Sequence, residues 1–447
     1  MRLTRCWDHV PTKHVRRLLA PLATTVCLAG GVDGTPEGEE GGWDGSFIGR
    51  VLWERAIQRI REMKLGFWAP SPIASECARH KWTSFADHNG IEISPKYGRL
   101  VKKAVEAHGP DQVLGCMAVA TKYHAEVAAN FFGNGGRFGM TDKPAVNNMA
   151  DGRAILALLD ADPALRFWVM QNHRYCNAVM FLRHKAMKAR LQKRKRLLRG
   201  GFFQPWMCSD RVSRQFLGRA DDENCTLFDL EWHVEDLLEF ILGLEVQAVF
   251  DAYVQRALGG AYARVISGGF ARVEFPDPLV ESTMCVDQTK PTARPDELWV
   301  YLKVPSYAED NQPVGYYWNM GRCGGDSVFV SRVKVKKPHL NDPTHWEQVE
   351  FGQEAFGPVA EEDLQFEPPG HMPTCWPNMG ENCLRAVLGQ VATERKLAIA
   401  EEGFLPQHML QPVADFRTNG MRSLRAILAH RLSADSGGKR VALTEIN

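Results

Sequence analysis

The chain has 447 residues, of which 45% are hydrophobic and 24% are charged, and its formal net charge at pH 7 is +1. These values are ordinary for a folded protein of two or three domains, and they exclude a globally basic nucleic-acid-binding protein and an acidic tail protein. Any electrostatic function must therefore reside in a local patch of charge.

The N-terminal segment, residues 1–31, joins basic residues to a short apolar run that begins at Leu18. Three interpretations stay open: a secretory signal, an organellar presequence and an ordinary N-terminal segment. The run is shorter than the roughly 20 apolar residues of a membrane span, so no transmembrane segment is predicted. Residues 32–46 are rich in Gly and Glu, which predicts a linker.

The cysteines also bear on location. Their number, 11, is odd and they are scattered along the chain, so a disulfide framework is not expected. Reduced thiols favour an intracellular protein, whether nuclear, cytoplasmic or organellar, although secretion is not excluded.

Residues 47–260 are predicted to form a helical domain. Apolar spacing and capping residues predict helices over 48–64, 94–109, 111–132, 154–159 and 227–258. The last of these carries an acidic face between residues 229 and 251.

The most prominent element of this domain is one predicted helix over residues 163–199. Asp162 and Pro163 are suited to a helix start, and no Gly or Pro follows until Gly200. The first half is apolar and the second half is basic. The basic residues are Arg183, Lys185, Lys188, Arg190, Lys193, Arg194, Lys195, Arg196 and Arg199.

The pattern changes after residue 260. Residues 261–370 predict a β-rich domain, because segments such as 297–304 alternate apolar and polar side chains. Residues 371–447 predict a C-terminal helical segment, with helices at 381–401, 407–416 and 420–432. The predicted fold class is α+β: a helical N-terminal half, an antiparallel β domain and a helical C-terminal segment.

The basic end of the long helix suggests a function. A cationic helix face can bind phosphates, and aromatic residues of the β domain, interleaved with Lys and Arg, could stack on bases. Alternatively, the acidic face at 229–251 pairs with the basic end of the long helix inside the same molecule and neutralises its charge. We therefore expect nucleic-acid binding, with RNA or a ribonucleoprotein as the partner, or else docking of the basic helix on a protein partner in a larger assembly.

A zinc site is a further hypothesis for the cofactor. Cys77 and His80 are three residues apart, as are His173 and Cys176. Two such pairs would supply the four N and S ligands that zinc prefers.

Near the C-terminus, the segment Gly380-Glu381-Asn382-Cys383-Leu384-Arg385-Ala386-Val387 resembles the nucleophile segment of ovarian-tumour-type deubiquitinases. That family reads Asp-Gly-Asn-Cys-Leu-Phe-Arg-Ala, so the chain departs at the Asp-Gly positions and lacks the Phe. The resemblance implies that Cys383 is a nucleophile at a helix start, with His408 or His430 as its base. A cysteine- or zinc-dependent hydrolase is thus the alternative function.

Overall fold

The computed structural model describes residues 20–30, 57, 60–69, 87, 89–203, 224, 226–257, 263–288, 297–305, 313–320, 327–331, 347–350, 376–401, 403, 405 and 409–447. The chain divides into two units. The first unit is Met1–Asn172 with Trp376–Gly420, and the second is His173–Cys375 with Met421–Asn447.

The first unit contains a seven-stranded sheet in which the first six strands are parallel to their neighbours. Its strands are β1 Thr24–Gly30, β2 Met63–Ala69, β3 Glu92–Ile93, β4 Val113–Ala118, β5 Phe138–Thr141, β6 Arg166–Val169 and β15 Ala414–Asp415. The order across the sheet is β15-β6-β5-β4-β1-β2-β3, with β15 antiparallel to β6. The six parallel strands follow the order 3-2-1-4-5-6 of a doubly wound α/β sheet.

Two central strands of this sheet are buried on both faces. Every residue of β4 is buried, and in β1 only Thr25 is partly exposed. Such burial is typical of parallel strands that have helices on either side. It produces a continuous apolar run, which sequence periodicity does not separate from a buried helix.

Helices connect these strands. They are α1 Tyr97–His108, α2 His124–Gly133, α3 Met149–Ala161, α6 Trp376–Glu394 and α7 Ala398–Glu401, with 3₁₀ turns at Ala20–Leu22, Pro110–Gln112 and Thr121–Tyr123 and a π-helical turn at Phe416–Gly420. In α1 the buried residues Tyr97, Leu100, Val101 and Ala104 have the i, i+3, i+4, i+7 spacing of one helix face. Gly109 follows α1 with a φ of 81°, a left-handed conformation that favours glycine.

The second unit contains a nine-stranded sheet. Its strands are β7 Arg196–Phe203, β8 Ala248–Gln255, β9 Gly268–Glu274, β10 Val280–Asp287, β11 Glu297–Pro305, β12 Pro313–Asn319, β13 Ser327–Ser331, β14 Glu347–Glu350 and β16 Val441–Ala442. Their order is β14-β13-β12-β11-β7-β10-β9-β8-β16. The pairings are antiparallel except between β7 and β10, so this is a mixed sheet.

The helices of this unit are α4 Asn177–Leu191, α5 Trp232–Leu242 and α8 Met421–Asp435, with a π-helical turn at Leu227–Glu231 and 3₁₀ turns at Asn172–Tyr175 and Leu443–Glu445. Every residue of α5 is buried, including its acidic ones. No helix in the described part of the chain has both the length and the apolar character needed to cross a bilayer.

The predicted α+β fold class is wrong: strands and helices alternate through the first unit, which makes it α/β. Residues 111–132 are not one helix, because they contain β4. The helix predicted over 163–199 is also wrong, since this stretch holds β6, a 3₁₀ turn, α4 and the start of β7. The apolar residues of β6 are buried in the sheet, and a short buried strand has the same composition as a buried helix.

Other predicted elements are confirmed. The alternating segment at 297–304 is β11, and the rest of the stretch predicted to be β-rich contains β12, β13 and β14. The last predicted helix, 420–432, is α8. The pattern of β11 is distinctive because residues 298–304 alternate between buried and partly exposed positions.

The chain is partitioned differently from the predicted domains. Residues 24–30 of the predicted targeting segment are β1, which lies between β2 and β4 in the sheet. The boundary expected near residue 260 falls inside the second unit, and the segment 371–447 contributes to both units. Sequence composition did not show that the chain returns to the first unit after completing most of the second.

Candidate functional site

The strands of the first unit end at one edge, which we call the carboxyl edge: the last residues of β1, β4, β5 and β6 and the residues that follow each strand. Along the sequence, β2 and β3 are added in turn on one side of β1. The next strand, β4, pairs with the other side of β1. At such a reversal the connections leave in opposite directions and open a crevice between the two strand ends. In this chain the reversal falls between β1, which ends at Gly30, and β4, which ends at Ala118.

Gly30 is required at this point by its surroundings. Its φ is +80°, and a Cβ added to it would lie 2.3 Å from the carbonyl oxygen of Ala118 and 2.8 Å from Cγ1 of Val119. The Trp68 indole Nε1 donates a hydrogen bond to the carbonyl oxygen of Gly30 at 2.7 Å. The end of β1 is therefore fixed, and Gly31 and Gly34 follow it in the sequence, outside the described residues.

Two buried polar atoms on the carboxyl edge have no partner among the described residues. They are Oγ1 of Thr141, the last residue of β5, and Nδ2 of Asn172, which follows β6. Both residues are at most 2% exposed. Unpaired polar atoms of this kind are costly, so they indicate a polar ligand at this edge.

An ion pair lies beside them. His124, fully buried at the start of α2, has Nε2 at 3.2 Å from Oδ1 of Asp142. Burial lowers the pKa of His124, but the hydrogen bond and charge of Asp142, together with two backbone carbonyls, outweigh it and raise that pKa above its ordinary 6.5. Lys143, partly exposed, follows Asp142 directly. The carboxyl edge thus carries a cationic side chain on a firmly held loop.

The second unit has a buried imidazole pair of its own. The rings of His173, in a 3₁₀ turn, and His233, on α5, have centroids 4.5 Å apart, and the Phe202 ring lies 5.7 Å from that of His233. An imidazole ring can both donate and accept hydrogen bonds, so this pair is a candidate polar site within the second unit.

Acidic side chains on α5 and the turn before it are paired with basic ones. The pairs are Arg174 with Asp236, Arg422 with Glu239 and His430 with Glu231, at 2.7, 2.6 and 2.9 Å. The acidic face predicted at 229–251 is therefore mainly buried and internally paired. Two basic residues of α4, Arg183 and Arg190, donate to the backbone carbonyls of Phe240 and Gly243.

Glu235 differs from these residues, because its hydrogen-bond partner is a hydroxyl group: Ser423 Oγ donates to Glu235 Oε2. Burial raises the pKa of Glu235 well above its ordinary 4.5, and the negative charge of Glu239 raises it further, against the smaller effects of Ser423 and Arg422. Glu235 therefore keeps its proton at pH values where an exposed glutamic acid has lost it.

Because the pKa of Glu235 is raised, the Glu235→Gln variant has a stability difference from the wild type whose direction with pH can be predicted. A raised pKa in the folded state gives stability that is present below the unfolded pKa and is lost as the pH rises through the folded pKa. Gln mimics the protonated acid, so E235Q should match the wild type near pH 5 and exceed its unfolding free energy by about 1 kcal/mol near pH 8. Urea unfolding across this range measures the difference. Glu281→Gln, at an exposed glutamate, is the control, and an E235Q variant that loses stability relative to the wild type as pH rises would contradict the assignment.

The predicted basic face is not one surface. α4 ends at Leu191, and Arg196 and Arg199 lie on β7 instead. Arg196 is buried and paired with Asp277, and Lys185 is buried with its Nζ 5.1 Å from the Phe181 ring centroid. The exposed members are Lys193, Lys195 and Arg199, and the partly exposed ones are Arg183, Lys188, Arg190 and Arg194. The single basic helix face on which the RNA hypothesis depended does not form.

The predicted zinc and thiol sites are located as follows. Cys77, His80 and His408 lie outside the described residues. His173 and Cys176 do not share a helix, because His173 is in a 3₁₀ turn and Cys176 precedes α4. No group of three or more metal-binding side chains occurs among the residues that the structure describes.

Cys383 does not have the surroundings that its resemblance implied. It is fully buried within α6 and not at the start of that helix. His430, its suggested base, belongs to the second unit and is paired with Glu231.

Sequence reasoning missed the residues of the carboxyl edge, Gly30, His124, Thr141, Lys143 and Asn172. One signal was available: the apolar run of residues 24–30 ends at Gly30 and is followed by Gly31, as a strand before a ligand-binding turn is followed by glycine. This signal was missed because residues 1–31 were interpreted as a possible targeting segment. The remaining residues have no local motif that single-sequence periodicity detects.

Comparison with known proteins identifies the fold. No protein-family model matches the chain, and no curated protein matches it by sequence. Solved structures do match. An inositol dehydrogenase homologue from Azotobacter vinelandii, complexed with NADH and myo-inositol, has a TM-score of 0.64 at 14% identity, covering 94% of this chain and 97% of that one.

Two further structures agree. Levoglucosan dehydrogenase in complex with NADH and levoglucosan has a TM-score of 0.63 at 14% identity, over 94% of this chain and 99% of that one. An oxidoreductase from Sinorhizobium meliloti has a TM-score of 0.62 at 16% identity, over 94% and 99% of the two chains. The chain shares the two-sheet fold of these oxidoreductases along nearly its whole length.

These comparisons overturn the functional predictions. RNA binding through a basic helix is wrong, and so is the alternative of a cysteine- or zinc-dependent hydrolase. The physical reason is the one seen above: the long basic helix on which the main hypothesis rested is divided among two strands, a turn and a shorter helix.

Proposed function

We propose that this chain is an oxidoreductase that uses a nicotinamide dinucleotide and acts on a hydroxyl-bearing small molecule. The observation that carries the proposal is the strand reversal between β1 and β4, where Gly30 holds a left-handed conformation beside Ala118. A doubly wound sheet binds dinucleotides in the crevice at such a reversal. The substrate class is supported by two structures of the same fold, solved with myo-inositol and with levoglucosan.

The residues present on the carboxyl edge suit a nicotinamide dinucleotide. Gly30 allows a close backbone approach, and the glycines after it in sequence have no side chain to obstruct a phosphate. The unpaired Asn172 Nδ2 can donate a hydrogen bond, and Thr141 Oγ1 can donate or accept one. A nicotinamide ring carries a carboxamide, which both donates and accepts hydrogen bonds, so these atoms fit its polar group.

Lys143 is the cationic side chain suited to the reacting end of the site. When bound, the nicotinamide accepts a hydride from a carbon that bears a hydroxyl group. Lys143 Nζ would hold hydroxyl groups of the cofactor ribose and the substrate by hydrogen bonds. The loop that carries Lys143 needs no further ordering when the cofactor and the substrate bind, because the ion pair of His124 with Asp142 already holds it.

The first test is binding of NADH to the purified full-length chain. We expect a dissociation constant in the micromolar range, and about tenfold weaker binding for each of Thr141→Val and Asn172→Ala, since each removes a buried hydrogen-bonding group. Asn130→Ala, at an exposed position on α2, is the matched control and should bind as the wild type does. Calorimetry measures all four proteins.

The second arm of this experiment replaces NADH with NADPH. Sites for NAD usually carry an acidic residue near the end of the second strand, where it binds the ribose 2′-hydroxyl and repels a 2′-phosphate. Residues 70–75, which follow β2, contain no acid in the sequence. NADPH should therefore bind within about tenfold of NADH. If neither nucleotide binds at about millimolar concentration, the proposed function is wrong.

A further inference from the structure

The imidazole of His124 contacts three oxygen atoms on two different loops: two backbone carbonyl oxygens and one carboxylate oxygen. Its Nδ1 lies 2.9 Å from the carbonyl oxygen of Ala145, and its Nε2 lies 2.9 Å from the carbonyl oxygen of Val119. The same Nε2 is 3.2 Å from Oδ1 of Asp142. Val119 follows β4, whereas Asp142 and Ala145 follow β5, so one ring joins the ends of two adjacent strands.

The spacing of these contacts singles out Lys143. Asp142 and Ala145 are the residues on either side of the dipeptide Lys143-Pro144, and both are bound to the same imidazole. A further hydrogen bond runs from the Asp142 amide to the carbonyl oxygen of Met117 at 3.1 Å. The backbone that carries Lys143 is therefore tied at both ends.

The chemistry of the contacts determines the state of the ring. All three partners are oxygen acceptors, so both ring nitrogens must donate, which requires the imidazolium form. Asp142 supplies the opposite charge within the same buried cluster. A neutral side chain of similar size could satisfy some of these acceptors but not the carboxylate charge.

We propose that His124 is a positioning residue, which fixes the backbone of Lys143 by clamping both ends of the Lys143-Pro144 dipeptide to the end of β4. It acts through Lys143 and does not itself contact the cofactor or the substrate. The inference rests on the proposed function only for the role of Lys143; the clamp itself is a property of the folded chain.

The first experiment tests the clamp without any cofactor. Amide hydrogen exchange is compared in the full-length wild type, His124→Gln and a matched control, His108→Gln, at an exposed histidine at the end of α1. H124Q should accelerate exchange at least about tenfold in residues 119–121 and 142–146, and less than about twofold in α3 and α6. H108Q should leave both loops unchanged. Acceleration spread evenly over the first unit, or none in these two loops, would overturn the proposal.

The second experiment tests whether the clamp acts through Lys143. In a double-mutant cycle read by the dissociation constant for NADH, Lys143→Met and H124Q should each weaken binding about tenfold, and the double variant should be little weaker than K143M alone. A purely structural role would make the two effects multiply, to about a hundredfold. Multiplying effects would therefore overturn the proposal.

A milder variant keeps both experiments decisive if H124Q does not fold. Asp142→Asn retains an acceptor oxygen near Nε2 but removes the charge, so it should accelerate exchange in the same two loops and show the same non-additivity with K143M. Failure of the wild type to bind NADH would overturn the proposed function, whereas the exchange pattern alone decides whether His124 clamps the loop.

Discussion

Replacement of Gly30 by alanine (G30A) is expected to lower the free energy of unfolding of the first unit by about 3 kcal/mol and to abolish detectable NADH binding. The new Cβ would lie 2.3 Å from the carbonyl oxygen of Ala118, a distance at which backbone must move. Movement there separates β1 from β4 at the proposed dinucleotide crevice. The left-handed φ of +80° adds strain for any residue with a side chain.

A matched glycine separates these two causes. Gly109 has a φ of +81°, and a Cβ added to it would have nothing within 4 Å. G109A should therefore cost only the conformational strain, about 1–2 kcal/mol, and should leave NADH binding unchanged. Urea unfolding followed by circular dichroism, with calorimetric titration of NADH, compares the variants. If G30A resembles G109A in both measurements, the close approach of β1 and β4 is not what the site requires.

Replacement of Arg174 by alanine is expected to destabilise the second unit by about 3–5 kcal/mol, because it leaves the Asp236 carboxylate buried without its counter-charge. Arg174 Nε donates to Asp236 Oδ2 at 2.7 Å and Nη2 donates to Oδ1, and the two side chains are 4% and 2% exposed. The guanidinium carbon also lies 5.2 Å from the ring centroid of Phe240. Two hydrogen bonds and one ring contact are therefore lost together.

Two other variants identify the cause of this loss. Arg440→Ala breaks an ion pair with Glu274 whose side chains are 50% and 36% exposed, and it should cost less than about 1 kcal/mol. Replacing both members of the buried pair, as R174M with D236L, should recover most of the stability that R174A loses, since no charge then remains buried. Urea unfolding measures all three. A double variant as unstable as R174A would show that packing around Arg174, and not its charge, is responsible.

Part of the fold was predictable because its patterns are local. The strand β11 covers residues whose alternation of apolar and polar side chains predicted one buried and one more exposed face. The ends of α1 and α2 at Gly109 and Gly133 were also predictable, since glycine adopts conformations that end helices.

The candidate site was not predictable in the same way. Lys143 and Asn172 follow short buried strands, and a short apolar run reads equally well as a strand or as a buried helix segment. Their proximity on one edge depends on which strands are neighbours, and β4 is placed beside β1 by pairing over a long sequence separation. No property of residues 24–30 or 113–118 taken separately specifies that pairing.

The amino-acid sequence by itself determined the near-neutral charge, which follows from composition alone, and the alternating strand β11 and the positions where glycine ends a helix, because these depend on residues close together in the chain. Only the tertiary structure decided that the acidic residues of α5 are buried beside Arg174 and Arg422, that the basic run after Arg183 is divided between a helix and a strand, and that His124 reaches the loop of Lys143. The physical reason is that burial and electrostatic pairing depend on which distant segments pack together, and local periodicity carries no information about that choice.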